Sequence, residues 1–118
     1  MYGVRADIDL SFLHGAELVQ ICIGLHQVQF HFDTGASVSV QGEWHLTDTA
    51  GDELDRSHDE VGRPPYQLHR LLGQAIIATN VAAPVSVALQ FRNGDILRIV
   101  DSADNYESFE IQPGNIIV

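Results

Sequence analysis

Apolar and polar residues alternate along several stretches of the chain, a pattern typical of half-buried β-strands. In the segment Gln27–Phe32 every second residue is valine or phenylalanine, and glutamine or histidine lies between them. The same period of two runs through Ser37–Thr47 and through Val85–Phe91. We therefore predict antiparallel strands with one packed face and one solvated face.

Further strands follow from turn signals and from continuous apolar runs. Leu18–Ile23 and Ile96–Val100 are predicted strands, the second following an Asn-Gly pair that favours a two-residue hairpin turn. Tyr106–Ile111 and Asn115–Val118 flank a Pro-Gly pair and are predicted to be short strands.

Two short helices are predicted ahead of these strands. Leu10–His14 follows Asp9, a favourable N-cap, and is followed by Gly15. Tyr66–Leu72 is followed in the same way by Gly73. Helices and strands together indicate a β-rich α+β protein.

The chain resembles itself at a fixed offset. Leu13-His14-Gly15 matches Leu71-Leu72-Gly73 at an offset of 58, and Val28, Phe30, Phe32 and Gly35 match Val87, Leu89, Phe91 and Gly94 at an offset of 59. We interpret this as two pseudo-repeats, about 9–47 and 66–111, each a short helix plus three mainly antiparallel strands. The acidic connection 48–65 joins them within one domain spanning 1–118.

Composition narrows the functional classes. The chain has 118 residues, of which 45% are apolar, and one cysteine, Cys22, so no intrachain disulfide forms. No apolar run is long enough to span a membrane, and the expected location is cytoplasmic.

Charge indicates the kind of partner. The chain has sixteen acidic residues, six arginines and no lysine, which gives a net charge of −10. Such a surface repels nucleic acid and anionic lipid, and it attracts a basic protein. We expect neither a nucleic acid nor a membrane as partner.

The connection holds the acids that we expect to contact such a partner: Asp52, Glu53, Asp55, Asp59 and Glu60. Their spacing is not that of an EF-hand loop, so we predict no calcium site. The histidines lack the spacing of a zinc site. No metal and no cofactor is expected.

The motif Asp33-Thr34-Gly35 resembles the signature of the aspartic proteases. The resemblance implies a homodimeric, retroviral-type enzyme in which two copies of Asp33 share one proton. Three features oppose this: the motif aligns with the hairpin turn at Arg92–Gly94, an acidic connection replaces the glycine-rich flap, and a long segment follows Gly73. The hairpin interpretation needs only residues that tolerate positive φ.

The C-terminal sequence Tyr106-Glu107-Ser108-Phe109-Glu110-Ile111 resembles a motif in a family of small uncharacterised bacterial β-rich proteins. That family is loosely similar to toxin-immunity proteins, and the resemblance implies binding rather than catalysis. We therefore favour a non-catalytic protein-binding module, such as a toxin-immunity or regulatory protein, and keep the Asp33 protease as the alternative. The strand Asn115–Val118 also offers an edge for pairing across a homodimer.

Overall fold

The computed structural model describes residues 4–57, 65–101, 108–113 and 116–118. Within these ranges the chain forms two short 3-10 helices and ten β-strands. The helices are Ser11–Leu13 and Leu68–Leu71, and the strands are β1 (Leu18–Ile23), β2 (Val28–Phe32), β3 (Ser37–Val40), β4 (Glu43–Thr47), β5 (Glu53–Arg56), β6 (Ile76–Ala82), β7 (Ser86–Phe91), β8 (Ile96–Val100), β9 (Phe109–Gln112) and β10 (Ile116–Ile117).

The expected α+β class is wrong, because the described residues contain no α-helix and form an all-β protein. The segments Leu10–His14 and Tyr66–Leu72 each form a single turn of 3-10 helix. Gly15 and Gly73, with φ of 83° and 82°, follow directly and turn the chain into a strand. Segments this short make too few hydrogen bonds to offset the cost of helix nucleation.

The strands agree with the predicted pattern in part. β1 and β8 cover the residues expected, and β2 and β7 begin one residue later than expected. β5 lies inside the acidic connection, where no strand was expected, and β6 was not predicted. The first residues of the last two predicted strands, 106–107 and 115, lie outside the described part of the chain.

The alternating segment Ser37–Thr47 is two strands rather than one. The chain turns a corner at Gln41 and Gly42, whose backbone N–H groups both donate to the carbonyl oxygen of Ser108 at 2.9 Å. The corner ends β3 and starts β4 in a different sheet. Alternation continues unbroken through it because both strands have one packed face.

Each sheet combines strands from both halves of the chain, where the first half is residues 4–57 and the second half is residues 65–118. Sheet one has the order β1-β2-β3-β9-β10, and sheet two has the order β5-β4-β8-β7-β6. β4 therefore pairs with β8 of the second half, and β9 pairs with β3 of the first half. Every half contributes three consecutive strands to one sheet and two strands to the other.

The two sheets are joined where the chain enters β1 and β6, with Glu17 opposite Ala75 in an antiparallel bridge. The surrounding hydrogen bonds occur in pairs related by an offset of 58. In the first pair, Gly15 N–H donates to Ile76 O and Gly73 N–H donates to Leu18 O, both at 2.8 Å. In the second pair, Leu18 N–H donates to Gln74 O at 3.0 Å and Ile76 N–H donates to Ala16 O at 2.9 Å. The predicted unit of a helix plus three strands is wrong, because in the described residues each half has one 3-10 turn and five strands. An origin of the two halves by duplication stays a prediction.

A single apolar core is shared by the two sheets. The inward residues of the central strands contribute a large part of it: Val28, Phe30, Phe32, Val38, Val40, Val87, Leu89, Phe91, Leu97 and Ile99. The strands that cross between halves add Trp44 and Leu46 from β4 and Phe109 and Ile111 from β9, all buried. Crossing therefore completes the core as well as the sheets.

Two matched glycines allow a test of the turns. Gly35 and Gly94 have φ of 88° and 93°. A Cβ at Gly94 would overlap Thr49 Cγ2, whereas a Cβ at Gly35 has nothing within 4 Å. We expect Gly35→Ala to lower the free energy of unfolding by about 1–2 kcal/mol, from the left-handed backbone alone. Gly94→Ala should cost about 1–2 kcal/mol more, because Thr49 must move.

Urea unfolding measures both changes. Thr49→Ser removes the clashing methyl group, so it should recover part of the loss in Gly94→Ala and none of that in Gly35→Ala. Equal losses in the two glycine variants would contradict this account of the contact.

Candidate functional site

Asp33-Thr34-Gly35 forms the exposed turn between β2 and β3. The Asp33 carboxylate accepts the backbone N–H of Glu17 at 3.0 Å, and the Asp33 N–H donates to the Glu17 carbonyl at 2.9 Å. Gly35 supplies the positive φ that the turn requires. Within the chain, the motif closes a hairpin and fastens it to the start of β1.

The turn between β7 and β8 has the same backbone hydrogen bonds. Gly94 N–H donates to the Phe91 carbonyl at 2.9 Å, as Gly35 N–H donates to the Phe32 carbonyl at 3.1 Å. The residue that corresponds to Asp33 is Arg92, whose N–H donates to the Ala75 carbonyl at 2.9 Å. One backbone arrangement therefore accommodates an acidic and a basic residue at the same place.

An ion pair between the exposed Arg70 and the buried Asp95 stabilises this second turn. Asp95 is 2% exposed, and its carboxylate accepts Arg70 Nε at 3.0 Å and the side-chain amide of Asn93 at 3.2 Å. Burial of a carboxylate is tolerated because these donors replace its water. Sequence reasoning missed this cluster, since Arg70 and Asp95 are separated by 25 residues. Its role is to hold the turn.

The acidic residues expected to contact a partner do not share one environment. Asp52 and Glu53 are exposed at the turn before β5 and at its start. Asp55 is only 7% exposed, and its carboxylate accepts the backbone N–H of Arg56 at 2.8 Å and of Gln67 at 2.7 Å. Asp55 is therefore a structural residue. Asp59 and Glu60 lie outside the described residues.

Three charged side chains contact one another on the outer face of the β4–β5 hairpin. His45 Nε2 is 2.6 Å from Glu43 Oε2, and His45 Nδ1 is 3.1 Å from Glu53 Oε1. Residues 43 and 45 share a face because side chains alternate along a strand. Glu53 lies opposite Thr47 on the neighbouring strand and so reaches the same face. We call Glu43, His45 and Glu53 the imidazole clamp.

The clamp changes the protonation of its histidine. Partial burial acts to lower the pKa of His45, but hydrogen bonds to Glu43 and to Glu53 outweigh it, so the pKa lies above its ordinary value of 6.5. The two carboxylates remain 45% and 46% exposed. The clamp therefore places the His45 ring between two carboxylates that also reach solvent.

Two arginines extend this charge pattern across the sheet. His45 lies opposite Arg98 of β8 and opposite Arg56 of β5, so all three are cross-strand neighbours. Arg98 also donates to the Ser86 hydroxyl at 3.1 Å. The outer face of sheet two thus presents alternating charge rather than a uniformly negative surface.

The chemistry available to this face is limited by geometry. Both ring nitrogens of His45 are bound by carboxylates, which leaves neither free to accept a proton from a substrate. In residues 4–57, 65–101, 108–113 and 116–118, no three His, Cys, Asp or Glu side chains are placed to hold a metal ion. The face is arranged to present charge.

The Glu-x-His spacing was a usable sequence signal for half of this clamp. The alternation through Ser37–Thr47 places His45 on the predicted solvated face, but Glu53 falls in a segment expected to have no strand. Comparison with protein-family models, with curated proteins and with solved structures found no match for this chain. The described residues include no helix of the length and hydropathy needed to cross a bilayer.

We expect the imidazole clamp to make stability depend on pH. Because the pKa of His45 is higher in the folded protein than in the unfolded chain, protonation of its ring stabilises the fold. This stabilisation is complete below pH 6.5 and is lost as the pH rises through the pKa of the folded protein. NMR titration of the ring should give a pKa above 6.5. Glu43→Gln and Glu53→Gln should each lower that pKa, and His45→Gln should flatten the dependence. A wild-type value at or below the ordinary one would contradict the clamp.

Asp33 offers a second test. Asp33→Asn keeps an acceptor for Glu17 N–H, so the free energy of unfolding should change by less than about 1 kcal/mol. Asp33→Ala removes the acceptor and should cost about 0.5–1.5 kcal/mol.

In peptidase assays at acid pH we expect no cleavage that depends on Asp33. Cleavage by wild type that Asp33→Asn abolishes would establish the protease alternative instead.

Proposed function

We propose that this protein is a non-catalytic binding module that docks a basic protein surface through the outer face of the β4–β5 hairpin. The observation that carries the proposal is the imidazole clamp. Its two carboxylates are about half exposed, and each ring nitrogen of His45 contacts one of them. A partner that brings guanidinium or ammonium groups can bind the exposed carboxylate oxygens.

Position in the fold supports this choice of face. β5 is an edge strand, so the hairpin is accessible from the side as well as from the front. Asp52 adds an exposed carboxylate at the adjoining turn. The net charge of −10 would draw a basic partner toward the protein before contact.

The kind of biological partner follows from the C-terminal motif Tyr106–Ile111, which resembles a family loosely similar to toxin-immunity proteins. A basic toxin, or the basic surface of a regulated protein, would be bound and blocked. Such recognition needs no reaction in the bound protein, and both ring nitrogens of His45 already contact carboxylates.

The test uses an arginine-rich peptide as the basic probe and NMR shifts of the folded full chain as the readout. Shifts should concentrate on β4 and β5 and should weaken as salt rises, because exposed charges are screened. The variant Asp52→Asn/Glu53→Gln should lower affinity by about two- to fivefold.

The matched control is Asp7→Asn/Asp9→Asn, which removes the same two charges from the N-terminal segment. It should change affinity less than the hairpin variant. Equal losses in both variants would show that net charge alone attracts the peptide. Shifts located away from the hairpin would refute the proposed face.

A further inference from the structure

Each half of the chain depends on strands that the other half supplies. Trp44 and Leu46 of β4 are buried opposite Ile99 and Leu97 of β8. In the same way, β9 of the second half is buried beside β3 of the first. A half without its complement would expose two strand edges and the apolar faces beside them.

Ser57 and Tyr66, which lie at the two ends of the covalent link between the halves, both contact Trp44. Ser57 N–H donates to the Trp44 carbonyl at 3.0 Å, and the Tyr66 ring stacks on the Trp44 indole with centroids 6.3 Å apart. Asp55 also accepts the N–H of Gln67. Every contact between the halves is otherwise non-covalent.

We infer that two copies of this chain exchange halves to form an intertwined dimer. In it, the first half of one copy folds with the second half of the other, and every strand pairing described above is kept. Only the link between the halves, residues 58–64, joins different partners, and seven residues can span up to about 23–25 Å when extended. The partner is a second copy of this chain, and protein concentration sets the balance between the two forms.

Residues at the bridge between the sheets favour pairing of unlike halves. Glu17 lies opposite Ala75. Two first halves folded together would instead place Glu17 opposite Glu17, and like charges directly opposite each other are destabilising. Thr49 likewise packs against Gly94 of the second half. The exchanged dimer retains both contacts, so it should consist of unlike halves.

The Glu17–Ala75 bridge also supplies a marker for exchange. The flanking hydrogen bonds make it a non-hydrogen-bonded pair, with Cα atoms about 4.5 Å apart, which suits a disulfide. In a Cys22→Ser background, one preparation carries Glu17→Cys and a second carries Ala75→Cys. In an unexchanged monomer of either preparation, the new cysteine faces a residue without a thiol.

The two full-length preparations are unfolded together in urea, refolded at about 1 mM, comparable with the effective concentration of a short linker, and then oxidised. We expect a disulfide-linked heterodimer, at least tenfold more abundant than after refolding at about 1 µM. Each preparation refolded alone should give little covalent dimer, since its cysteine then faces Ala75 or Glu17.

Two outcomes would overturn the inference. Absence of the heterodimer after joint refolding, with native circular dichroism restored, would exclude exchange of halves. Equal yield from mixing the two proteins after separate folding would show that surface collision forms the disulfide. If the bridge variants fail to fold, Thr47→Cys and Ile96→Cys, which oppose each other on β4 and β8, give the same test.

Discussion

Two backbone N–H groups bound to one carbonyl oxygen, those of Gln41 and Gly42 on Ser108, fix the corner at which the first half of the chain changes sheets. Because β4 starts beyond this corner, it pairs with β8 instead of folding back on β3. Ser108 lies just before β9, the strand that crosses in the opposite direction. The corner therefore links the entry of β4 into sheet two to the entry of β9 into sheet one, and the shared core results from these two exchanges of strands.

Strand positions were predictable where alternation is strong and local turns are decisive. β1 and β8 matched because their boundaries carry such signals. β6 was missed because its sequence, two isoleucines followed by Ala78, Thr79 and Asn80, neither alternates nor is continuously apolar. The helices were wrong for an energetic reason: local capping residues fit a helix, but the segments are too short to sustain one.

The candidate site shows the same division between local and distant information. Parity along β4 correctly placed His45 on a solvated face, since this depends only on neighbouring residues. The environment of Asp55 could not be read in this way, because Gln67 reaches it across the connection. Acidic composition suggested five equivalent carboxylates, and only strand pairing distinguishes a surface acid from one that satisfies buried backbone N–H groups.

Reciprocal crossing has a consequence for synthesis on the ribosome. Sheet one lacks two of its five strands until β9 and β10 have been translated and have left the exit tunnel. Until then the edge of β3 that pairs with β9 in the folded protein has no partner strand, and unpaired strand edges are prone to aggregation. Aggregation of this kind is limited when the time between translation of β3 and of β9 is short, or when a chaperone covers the edge of β3 during that time.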